Sequence, residues 1–154
     1  MKLVLFAASL VCFAAQAQAL RCVHPEPVRR CADIAAAPED YYVLYGTLTF
    51  DETALPQGMR ATGAPLPAPI TAQFTGKGLT HSGFTSDYVS PAILQIDCMA
   101  NYCGTAQSGI EALYFVRASQ TPVTMTAGPC GGMIFAEPSQ AVLDQMTACM
   151  QGSC

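Results

Sequence analysis

The chain has 154 residues, of which 51% are hydrophobic and only 12% charged. Seven Lys and Arg stand against eleven Asp and Glu, a formal charge of −4 at pH 7, and a net acidic surface opposes a phosphate backbone, which argues against nucleic-acid binding. The length suits one domain with a single real core.

The first residues carry the parts of a secretory signal in order. Met1 and Lys2 give a positive start, Leu3 to Ala15 form an apolar run, and Ala17-Gln18-Ala19 is a small-x-small cleavage site. The expected organisation is a signal peptide over 1–19 and one disulfide-stabilised domain over 20–154. A membrane anchor is the rival, but the run falls short of the roughly 20 apolar residues that span a bilayer. Ser9-Leu10-Val11 lacks the small residue that precedes a lipidated cysteine, so Cys12 is not read as a lipoprotein site. Lys2 leaves with the signal, so the mature balance is six basic against eleven acidic side chains. No transmembrane anchor is expected after signal removal, and the alanine-rich signal fits a bacterial protein exported to the periplasm or beyond.

Leu20 to Asp40 is marked by proline and charge and reads as a tether, with Arg29-Arg30 in a solvated loop. Tyr41 to Phe50 is rich in aromatic and β-branched residues, the strongest strand signal in the chain, with Leu44, Leu48 and Phe50 on one face. Asp51 to Pro69 holds Pro56, Gly58, Gly63, Pro65, Pro67 and Pro69, which forbid a regular element and predict a long exposed loop. Loops of this length serve a function or are mobile, and Asp51, Glu52 and Arg60 are its candidate binding residues. Ile70 to Thr75 reads as a strand, Gly76-Lys77-Gly78 as a turn, and Leu79 to Thr85 as a weak returning strand. Ala92 to Cys98, Glu111 to Arg117 and Val123 to Ala127 complete a count of five or six strands. The end looks helical: Ser139 is a good N-cap, and Val142, Leu143, Met146, Cys149 and Met150 recur at helical spacing before Gly152. Methionines can bind copper, but at this spacing they read as core filler.

The mature cysteines are Cys22, Cys31, Cys98, Cys103, Cys130, Cys149 and Cys154. In an oxidising compartment such a set forms disulfides. Zinc sites favour closer pairs than the two C-x4-C units here, with only His24 and His81 to join them. The set is odd, leaving one thiol free, paired between molecules or bound to something.

No complete catalytic set is legible. His81, Ser82 and Asp87 offer the residue types of a hydrolase without a nucleophile elbow around the serine. Gly76-Lys77-Gly78 lacks the rest of a phosphate loop, and Cys98 to Cys103 lacks the C-x-x-C spacing of redox sites.

Cys22-Val23-His24-Pro25-Glu26-Pro27-Val28-Arg29-Arg30-Cys31-Ala32-Asp33 resembles the start of the netrin-like module of tissue inhibitors of metalloproteinases, where a Cys-Val-Pro-rich segment leads to a second cysteine. Cys103-Gly104, then Gly109 and the strand Ala112 to Val116, is similar to that family's Cys-Gly, Gly and aromatic strand. Thr126 to Cys130 is similar to its strand-ending cysteine, and the helix ending at Cys149 to its C-terminal helix and cysteine. The resemblance implies a mainly β fold, an OB-like five-stranded Greek-key barrel with a C-terminal helix. It also implies Cys22 paired with Cys130 and Cys31 with Cys149. The family's first cysteine falls at Leu20, so Cys103 is left to Cys98, and Cys154 remains as an unpaired thiol able to link a dimer. Family inhibitors place an N-terminal cysteine on the protease zinc, whereas the mature chain is expected to begin Leu20-Arg21-Cys22, so that activity is a minor reading.

The expectation is an exported binding or interaction module of the cell envelope or exterior. Its partner is an unidentified protein or small molecule, without metal or cofactor. The alternative is an exported enzyme.

Overall fold

A computed structural model describes residues 22, 23 and 25–153. The expected signal peptide, Cys12, Leu20, His24 and Cys154 lie outside the described residues. The elements in chain order are helix α1 (Pro27–Ala35), strand β1 (Tyr41–Phe50), a single 3-10 turn (Glu52–Ala54), β2 (Ile70–Thr80), β3 (Gly83–Ile96), the two-residue strands β4 (Cys98–Met99) and β5 (Tyr102–Cys103), β6 (Glu111–Arg117), β7 (Val123–Ala127), β8 (Ile134–Ala136) and helix α2 (Gln140–Met150). No helix among the described residues is long and apolar enough to cross a membrane.

The main sheet runs β7-β3-β2-β1-β6-β8 and curls into a half-barrel. β1, β2 and β3 form an antiparallel meander, β6 pairs antiparallel with β1, and β7 pairs parallel with β3. Five strands thus take the OB-like Greek-key order, and short β8 extends the edge at β6. β6 and β7 approach each other across the open side. β4 and β5 make a separate hairpin, with Cys98 opposite Cys103.

Alternation along the strands fills the half-barrel. Leu44, Leu48 and Phe50 from β1, Ile70, Ala72 and Phe74 from β2, and Ala92, Leu94 and Ile96 from β3 meet Tyr114, Met125 and Ala127 in one buried cluster. A second cluster lies on the outer face, where Leu113 and Phe115 of β6 pack against Cys31 of α1 and Leu143, Met146 and Cys149 of α2. Ser139 caps α2, its Oγ accepting from Val142 N at 3.4 Å.

Three sequence expectations change. The 20–40 tether contains α1: Pro27 occupies the first turn, where its missing N–H costs nothing, and Val28, Cys31 and Ile34 recur on the face that packs on the second cluster. Arg29 and Arg30 therefore lie on a helix rather than a loop, and Arg30 Nε donates to Gly132 O at 2.7 Å. Gly76-Lys77-Gly78 is not a turn but the middle of β2, and the reversal comes at His81 and Ser82. Gly76 is needed because it faces Gly46 of β1 at close range: a Cβ on Gly46 would overlap the Thr75 carbonyl oxygen and meet Gly76 Cα, under the ring of Phe74. The third change concerns the cysteines.

Cys22 is bonded to Cys130 across 108 residues, and Cys98 to Cys103 across five. The Cys31–Cys149 pair is overturned. Cys149 is disulfide-bonded, but Cys31 keeps a free, buried thiol. α1 turns Cys31 into the apolar layer beneath α2, where it packs as a small hydrophobe, and burial pushes its pKa above the ordinary thiol value.

Two outcomes follow from this packing. Gly46→Ala forces β1 and β2 apart and is expected to lower the unfolding free energy by about 1–3 kcal/mol, read as a lower urea midpoint; an unchanged midpoint contradicts the close-approach argument. Tyr114 is 2% exposed, and desolvation pushes its phenol up to about 12 from 10.0, the Leu48 backbone pulling weakly the other way. The folded state therefore holds the Tyr114 proton more tightly than the unfolded chain. Its contribution is whole below pH 10 and is lost as pH rises toward 12. The urea midpoint of the wild type should fall across that window by more than that of Tyr114→Phe, and parallel curves would remove Tyr114 from the alkaline transition.

Candidate functional site

The segment 51–69 joins two adjacent antiparallel strands, since Phe50 of β1 stands opposite Ala72 of β2. Such a hairpin can be closed by a few residues, so its length is not a requirement of the sheet. The extra chain is tied down at its start and at its middle. Asp51 caps the 3-10 turn, Oδ1 accepting from Thr53 N at 2.9 Å and Thr53 Oγ1 at 2.7 Å. Those bonds hold the Asp51 carboxyl below the usual carboxylate range, the Thr53 hydroxyl contributing most. Glu52 Oε1 accepts from Ser108 N at 2.6 Å, while Ser108 Oγ accepts from Phe50 N at 2.9 Å. Further along, Arg60 N donates to Asn101 O at 2.9 Å, fastening the loop to the tip of the β4–β5 hairpin that Cys98–Cys103 closes.

The folded-over loop forms an open cavity of about 670 Å³ against the start of β2. Pro56, Pro65, Pro67, Pro69 and Ile70 supply apolar wall, and Asp51, Gln57, Arg60 and Thr71 supply polar atoms. Two of the three sequence candidates, Asp51 and Arg60, thus line one cavity. Glu52 does not line it, because its carboxylate is engaged with Ser108. Arg60 is half-buried: Nη2 donates to Ala64 O at 2.6 Å, and Nε is buried without a hydrogen-bond partner. The ion pairs among the described residues are Arg30–Asp33 and Lys77–Asp87, so no carboxylate neutralises Arg60 there. Met59 is 68% exposed, and Met99 and Tyr102 on the neighbouring hairpin are also open to solvent.

Sequence reasoning missed the hairpin tip at Asn101 and the anchor at Ser108. Only the C-x4-C spacing hinted that residues 98–103 form a rigid platform.

A second cleft, of about 510 Å³, lies between the β2–β3 turn and α2, lined by Tyr45, Lys77, Ser82, Phe84, Asp144 and Thr147 among others. Tyr45 and Phe84 meet edge to face at 5.7 Å, and Tyr45 Oη donates to Glu111 Oε2 at 2.6 Å. Of the hydrolase-type residues nearby, Asp87 is engaged through its side chain, whereas His81 and Ser82 are held through backbone atoms. Asp87 Oδ1 accepts from Lys77 Nζ at 2.8 Å, which lowers its pKa, and His81 O accepts from Gln151 Nε2 at 2.7 Å. Ser82 N donates to Thr80 Oγ1 at 3.1 Å in the turn. No cluster of three or more His, Cys, Asp or Glu able to hold a metal occurs among the described residues.

No protein-family model, curated protein or solved structure matches this chain. The site therefore has to be read from its own chemistry.

The anchors make a direct expectation. Glu52→Ala removes the acceptor of Ser108 N, and the exchange of that amide with deuterium should rise several-fold while amides of β1 and β6 keep their protection. Unaltered exchange at Ser108 would show that the loop is held by other contacts.

Proposed function

We propose that this chain is an exported binding module of the cell envelope or exterior, and that its ligand seats in the cavity of the β1–β2 loop. The observation that carries the reading is the loop itself: a hairpin connection far longer than its strands require, anchored at Ser108 and Asn101 and lining an open cavity of about 670 Å³. That volume falls in the range of small-molecule sites, which combine apolar walls with a few convergent polar groups. OB-like barrels commonly present ligands to loops between their strands. Two described disulfides support an oxidising compartment.

A kinship with netrin-like modules belongs to the same proposal. The Cys22–Cys130 bridge and the helices packed on the barrel support it, and the free thiol of Cys31 counts against it.

The test is a fragment screen on the oxidised protein, followed by backbone amide shifts. Hits are expected to perturb residues 51–71, and replacing residues 56–67 by a short glycine–serine linker should abolish those hits while β1, β2 and β6 keep their spectrum. Hits confined to other surfaces, or undiminished in the shortened protein, would sink the assignment.

A further inference from the structure

Arg60 is the unusual member of the cavity wall. Its Nε is the one buried side-chain nitrogen or oxygen among the described residues that lacks a hydrogen-bond partner. Its Nη2 donates to a neutral carbonyl, that of Ala64, at 2.6 Å. A guanidinium stays charged at any physiological pH, and holding it half out of water without a counter-ion is unfavourable. Yet the chain is acidic, with carboxylates to spare, and neither described ion pair uses one on Arg60. The acidic residue of the wall, Asp51, turns its Oδ1 back on Thr53 instead. A guanidinium at a cavity wall with no carboxylate partner is suited to pair with an anionic group seated in that cavity.

Resting on the binding role proposed above, we infer that the cavity takes a small apolar carboxylate, its carboxylate pairing with the Arg60 guanidinium and its hydrocarbon part lying against the proline walls. Three features select this chemistry. Arg is the cation whose planar fork matches a carboxylate with two parallel hydrogen bonds. Arg60 is the only Lys or Arg lining the cavity, so it can pair with one negative charge, and Asp51 on the same wall repels the second charge that a phosphate dianion carries. Pro56, Pro65, Pro67, Pro69 and Ile70 offer carbon surface, and prolines have no N–H to solvate a polar ligand body. The source of the carboxylate can be a free acid or the C-terminus of an apolar peptide, which share this chemistry.

The experiment titrates the full-length oxidised protein with octanoate, octanol, octylamine and inorganic phosphate, and with acetyl-leucyl-leucine as the free acid and as the amide, following amide shifts of residues 51–71. Octanoate is expected to bind at least about tenfold more tightly than octanol or octylamine, the size of one charge-assisted pair. Arg60→Gln should erase that preference, Arg60→Lys should retain part of it, and Asp51→Asn should strengthen octanoate binding by removing a like charge. A preference for octanoate alone assigns the free acid, and an equal preference for the peptide acid over its amide assigns a peptide terminus. Octanol binding as tightly as octanoate overturns the carboxylate inference but leaves the loop as a binding site, and phosphate outcompeting octanoate does the same. No response to octanoate overturns it as well, and the fragment screen then decides separately whether the loop binds anything.

Discussion

β6 belongs to two cores at once. Residues 112–116 are buried without a break; Ala112, Tyr114 and Val116 face the half-barrel, while Leu113 and Phe115 face the two helices. Burying a Leu or Phe side chain is worth about 1.5–3 kcal/mol, so lifting α1 and α2 from the sheet costs several such side chains together with Met146. The barrel and its helical layer therefore hold together as one unit. This concentration of packing around β6 leaves the opposite end free: the loop after β1 sends only Leu55 to the core, as a partly buried contact. Its remaining residues are available to shape a cavity.

That cavity is built before any ligand arrives. Four prolines restrict the unfolded loop as well as the folded one, which lowers the entropy lost on ordering. The Asp51 cap shapes the first turn of the loop, and the Glu52–Ser108 and Arg60–Asn101 bonds then fix its start and its middle to different parts of the frame. Preorganisation of this kind removes a cost that binding otherwise has to meet.

The parts of the fold legible in the sequence were those governed by period-two burial. β1, the start of β2, the end of β3, β6 and β7 alternate or run apolar, and their inward residues are Leu44, Leu48, Phe50, Ile70, Ala72 and Phe74 as the pattern indicates. α1 escaped because its proline and charges suggest a linker, whereas its helical character rests on the spacing of Val28, Cys31 and Ile34. Gly76 misled for a different reason: glycine marks a turn in most contexts, but here it permits a close crossing of strands that only the Gly46 partner explains. At the site, composition was enough to find the loop and to single out Asp51 and Arg60. It did not separate them from Glu52, because which carboxylate faces a cavity and which reaches Ser108 is decided by the fold of distant residues.

The bridge between Cys22 and Cys130 spans 108 residues and ties the segment before α1 to the turn after β7. A chain made from its N-terminus exposes Cys22 long before Cys130 exists, and Cys31 is the cysteine nearest to it along the backbone. α2, which covers Cys31 in the finished fold, is the last element to be made. Any early adduct between those two sulfurs must be reopened by an attacking thiolate before the native bond can close. Wherever that adduct forms, the order of synthesis makes sulfur exchange, and not merely an electron acceptor, a requirement for reaching this fold.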